Sequence, residues 1–117
     1  MLNRDIFDQI KQELDRAEQA RKKGNEGMAR VCARRAAGFA ALAILQKLGR
    51  DIHNINGLDA LHLFSKNAEF PTSIRRSAEF LTMRVTPDHL LPLEVDLLQQ
   101  ARQFINELNQ WMEDQID

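Results

Sequence analysis

The chain reads as an all-α, antiparallel helical bundle of four main helices and one short helix, in a single domain over residues 1–117. Three observations lead there. Apolar residues recur at steps of three and four almost from end to end. No alternating run of β-branched residues is joined to another by an Asn-Gly type turn, so no strand is expected. The 117 residues, 44% apolar and 28% charged, suit one globular core and argue against a disordered chain.

The first helix is expected after Asn3, whose side chain can cap it. Ile6, Ile10, Leu14 and Ala17 form one apolar stripe. Asp5 and Asp8 suit the positive end of the helix dipole, and Arg21, Lys22 and Lys23 suit the negative end. Gly24 then stops the helix. The second helix starts at once with Asn25 as cap and runs to Leu48, where Gly49 closes it. Its stretch AAGFAALAIL, Ala36 to Leu45, is apolar or glycine throughout, which predicts a central helix buried on all sides. Gly38 costs roughly 1 kcal/mol against alanine in mid-helix, so a close helix–helix crossing is expected there.

Residues 50–56 read as a connection. A short helix is expected over Leu58–Lys66, with Asn56 and Asp59 spaced as a cap pair. A fourth helix is expected from Thr72 to about Val85, because Pro87 pushes Thr86 out of the α region. Pro92 suits the first turn of the last helix, which continues through Leu97, Leu98, Ala101, Ile105 and Leu108 to Met112 or beyond. Phe39, Phe64, Phe80 and Phe104 are expected in the core, and Trp111 either caps that core or anchors a subunit interface.

Composition excludes several classes of function. A net charge of −1 gives no global basic excess for nucleic acid. A single cysteine, Cys32, rules out an internal disulfide or a cysteine-based zinc site. His53 and His62 match no metal-ligand spacing, and no cofactor-binding motif is present. No run approaches the 18 or so apolar residues of a membrane span, and no secretory core precedes the first helix, so a cytoplasmic protein is expected.

Charge is nevertheless uneven. Residues 25–50 carry five basic groups and one acidic, whereas residues 93–117 carry one basic and six acidic. Either the second and last helices pack together and pair their charges, or the chain dimerises with complementary ends, or the second helix holds an anion. Arg30 and Arg34 lie roughly 40° apart on the helix barrel and can grip a phosphate together. Arg35 points elsewhere. The acids weighed as partners for these arginines are Glu94, Asp96 and Glu107.

The phrase KGNEGMARVCARRAAG resembles small bacterial proteins of the HEPN superfamily, as do, more loosely, SIRRSAEFLTMRVTPDH and the closing EVDLLQQARQFINELNQWM. The resemblance implies a homodimeric, HEPN-like bundle that handles a nucleotide or RNA, or a partner protein such as a nucleotidyltransferase-like one. Catalytic members carry an arginine followed four to six residues later by a histidine and cleave RNA without a metal. Arg84 and His89 match that spacing, although Val85 stands where the family has a polar residue and Pro87 breaks the helix between them. Three readings therefore stand: a non-catalytic dimer using Arg30 and Arg34, a ribonuclease using Arg84 and His89, and a purely structural interaction module.

Overall fold

The computed structural model describes residues 3–83 and 95–115. Five helices follow in order: α1 (Arg4–Lys22), α2 (Glu26–Lys47), α3 (Gly57–Lys66), α4 (Thr72–Leu81) and α5 (Leu97–Asp114). No strand occurs among the described residues. The division is three long helices of 19, 22 and 18 residues and two short ones of 10.

The starts of α1, α2 and α3 are written locally. The Asn3 side chain accepts from the Ile6 amide, and that of Asn25 from the Met28 amide. Asn56 and Asp59 form a complete capping box, each side chain accepting from the other's backbone amide. Gly24 and Gly49, with φ of +78° and +77°, supply the left-handed residues after α1 and α2.

Two boundaries differ from expectation. α4 ends at Leu81 with Thr82 as its C-cap, short of Val85. The Thr82 hydroxyl accounts for part of this stop, since it donates back to the Glu79 carbonyl. α5 starts at Leu97 rather than near Pro92, because the Asp96 carboxylate accepts from the Leu98 and Gln99 amides and so defines the first turn.

Ion pairs set the directions of the long helices. Arg21 of α1 pairs with Glu26 and Glu13 with Arg35, so α2 runs opposite to α1. Arg21 also pairs with Asp96, and Glu18 with Arg102, so α5 runs opposite to α1 as well. α3 bridges α2 and α4, and α4 lies along α5. An aromatic cluster fills the space between α3, α4 and α5. The rings of Phe64 and Phe70 are 4.3 Å apart, Phe104 meets Phe64 edge-on at 5.5 Å, and Trp111 meets Phe70 edge-on at 5.1 Å. Each fully buried ring contributes about 1.5–3 kcal/mol of transfer free energy. Trp111 thus caps the core.

Small residues let α2 sit at the centre. Ala33, Ala36, Ala37, Ala40 and Ala41 are fully buried. Gly38 marks the expected close crossing, and its partner is Gly57, the first residue of α3: a Cβ at either glycine would lie 2.9 Å from the other's Cα. Burial is not complete around the helix, however. Phe39, Leu42 and Ala43 are only partly covered. These residues flank the Gly38–Gly57 crossing.

Candidate functional site

The uncovered strip of α2 is one wall of a groove of about 280 Å³, and the start of α3 is the other. Gly38 and Gly57 form its floor, and Phe39, Leu42, Leu58 and Leu61 line it. Leu58 is 46% exposed, a large share for a leucine beside a cavity. Two arginines of α2, Arg34 and Arg35, also border it beside Gly38. The groove is therefore greasy along its length and cationic at one rim, a combination suited to a ligand with a flat apolar body and an anionic end.

The two arginines are held differently. Arg34 reaches across to the end of α4, where its Nε donates to the Leu81 carbonyl at 2.9 Å and its Nη2 to the Met83 carbonyl. It satisfies the Leu81 carbonyl, one of those that the last turn of a helix leaves unpaired, and the Met83 carbonyl just beyond α4. Among the described residues no carboxylate neutralises it. Partial burial, with the positive charge of Arg30 nearby, lowers its pKa from the ordinary arginine value. An anion at this rim would offset the repulsion from Arg30. Arg35 is turned the other way around α2, and its Nη1 donates to Glu13 Oε2 at 3.3 Å.

Glu13 is one of two buried polar residues among those described, at 5% exposed, and its other oxygen accepts from Arg16 Nη1 at 2.6 Å. This buried carboxylate had no counterpart in the sequence reading, because position 13 lies beside the apolar stripe and carries an unremarkable residue type. Cys32 is 2% exposed and free. Burial pushes its thiol pKa up, and the Glu13 charge adds to that, against the opposite pull of Arg35 and Arg16. The neighbouring arginines do not activate it.

The sequence-predicted residues fall into three groups. Arg34 is at the groove, with Arg30 close enough to act on its charge. Arg84 and His89 lie outside the described residues, as does Glu94. Of the acids expected to neutralise α2, Asp96 holds Arg21, while Glu107 Oε1 accepts from Gln103 and its buried Oε2 has no hydrogen-bond partner among the described residues. Through Arg21, α1 links the charges at the start of α2 and at the start of α5. Phe39 lines the groove instead of joining the core, and Phe80 is half-buried under Arg76, 5.8 Å from its ring centre. His53 and His62 are exposed, and no group of three or more potential metal ligands occurs among the described residues.

No family model, curated protein or solved structure matches this chain. The site must be read from its own chemistry. None of its described helices is long and apolar enough to cross a membrane.

Proposed function

We propose that the chain is a non-catalytic, HEPN-like binding module whose α2–α3 groove takes a nucleotide. One observation carries the reading: an apolar groove with Phe39 on its wall is bordered by Arg34, which no carboxylate neutralises among the described residues. A base fits the apolar length, and guanidiniums are the side chains best shaped to receive phosphate. The carbonyls of Leu81 and Met83 fix Arg34 in place, so little side-chain freedom is lost on binding. The module acts as a homodimer, for which Met28 and Val31, 47% and 43% exposed on α2, offer apolar contact surface.

Titration calorimetry with nucleoside mono- and diphosphates tests this. Binding should weaken steeply with salt, and Leu58→Glu should weaken it tenfold or more with the helical circular dichroism unchanged. Millimolar nucleotide without a heat of binding, or binding indifferent to that substitution, refutes the groove. Light scattering at 13.5 kDa refutes the dimer. RNA cleavage in EDTA that is lost in Arg84→Gln and His89→Gln would place the chain among the ribonucleases instead.

A further inference from the structure

A second, more polar cleft lies between α1 and α2, on the other side of Arg35. Its lining includes Arg16, Gln19, Lys23, Asn25, Cys32 and Arg35, with no acidic side chain among its lining residues. The carboxylate that balances part of this charge is Glu13, which is buried behind the cleft and does not line it. Glu13 Oε1 takes Arg16 Nη1 and Oε2 takes Arg35 Nη1. One nitrogen of each guanidinium is thereby anchored, and the remaining N–H groups of both forks are left for other acceptors. Lys23, at the end of α1, makes no ion pair among the described residues. Three cations against one carboxylate leave an excess of two positive charges in a cleft whose Gln19 can add an amide donor.

We infer that this cleft binds a phosphate-monoester dianion, with Arg16, Lys23 and Arg35 as its ligands and Glu13 as the positioning residue that fixes the two guanidiniums. The charge matches, since a dianion neutralises the excess of two. The donor set matches as well, because two planar forks and an ammonium supply several N–H groups to one compact tetrahedral anion. A carboxylate buried between two arginines holds them side by side despite their like charge. An acidic peptide is the weaker occupant, for the three cations surround room for one compact anion, and Met28 is the one large apolar side chain among the lining residues.

The inference is independent of the nucleotide reading. The probe is inorganic phosphate, added near pH 7.5 to the full chain and followed by amide chemical shifts. Sodium chloride at matched ionic strength is the control. Saturable shifts are expected at Gln19, Lys23, Met28 and Cys32. Lys23→Glu, a change at an exposed residue, should weaken phosphate binding at least tenfold. Glu13→Gln should weaken it severalfold while every cation is retained. Leu58→Glu, which blocks the groove, should leave phosphate binding here unchanged. Shifts matched by sodium chloride, shifts confined to Gly38, Leu42 and Leu58, or equal affinity in Lys23→Glu would each overturn the inference. Should Glu13→Gln fail to fold, Lys23→Glu decides alone.

Discussion

Gly38→Ala sets two opposing effects against each other at the α2–α3 crossing. Replacing a mid-helix glycine by alanine ordinarily stabilises a helix by about 1 kcal/mol, through the smaller backbone entropy lost on folding. Here the new methyl group would stand 2.9 Å from the Gly57 Cα and 3.3 Å from its carbonyl carbon. Unstrained carbon–carbon contacts lie at about 3.5–4.0 Å, so α3 must back away by about 0.6 Å or more. The neighbour is backbone, and no rotamer change relieves it. Overpacking of this kind costs roughly 1–3 kcal/mol, which leaves a net loss of about 0–2 kcal/mol. Gly38→Leu adds bulk to the same clash and should fall at or beyond the upper end, near 3 kcal/mol. Urea denaturation measures both variants, and a loss of 1 kcal/mol corresponds to roughly 4 °C in melting temperature for a chain of this size. Gly57→Ala meets the same obstacle from the other side, with Gly38 Cα at 2.9 Å, and should lose a similar amount. A Gly38→Ala variant stabilised by the full 1 kcal/mol would refute the crossing, as would an unchanged melting temperature for Gly38→Leu.

Arg34→Gln should detach the end of α4: two charge-assisted bonds to the Leu81 and Met83 carbonyls are lost at a half-buried site, for about 1–3 kcal/mol in all. Hydrogen exchange at the α4 amides near Thr82 should quicken, whereas exchange as slow as in the parent chain would exclude the capping role. Asp96 titrates below the usual carboxylate range, chiefly because Arg21 donates to it, aided by the Gln99 and Leu98 amides. A depressed carboxylate pKa stabilises the fold above the ordinary aspartate pKa, and that contribution disappears as pH falls through the depressed value. Asp96→Asn keeps a capping oxygen but loses the Arg21 pair, so it should cost only about 0–1 kcal/mol at neutral pH and flatten the acid limb of stability. Asp96→Ala, which loses the cap as well, should cost about 1 kcal/mol more. Equal stability of the two variants would show that the cap contributes nothing.

Secondary structure was legible in this sequence wherever it depends on neighbours within a turn or two. Asn3, Asn25, Asn56 with Asp59, Gly24 and Gly49 mark their helix ends because caps and left-handed stops are settled by the backbone beside them. The last helix is the instructive exception. Pro92 suits a first turn, but Asp96 accepts two backbone amides and starts the helix there, so of two local signals the stronger hydrogen-bonding one prevailed. The tight spot at Gly38 was also legible, as a glycine whose helical cost needs a reason. Its partner was not, because Gly57 is distant in sequence and only the fold brings the two together. The same holds for both candidate sites. An arginine's partner is chosen by which helix end or carboxylate lies within reach of its long side chain: Arg34 found the carbonyls that end α4, and Arg35 found Glu13. The apolar run of α2 specified a helix able to be buried all round. Whether it is buried at each point is decided by the shape of its neighbours, and Phe39 and Leu42, which flank the Gly38–Gly57 crossing, are only partly covered.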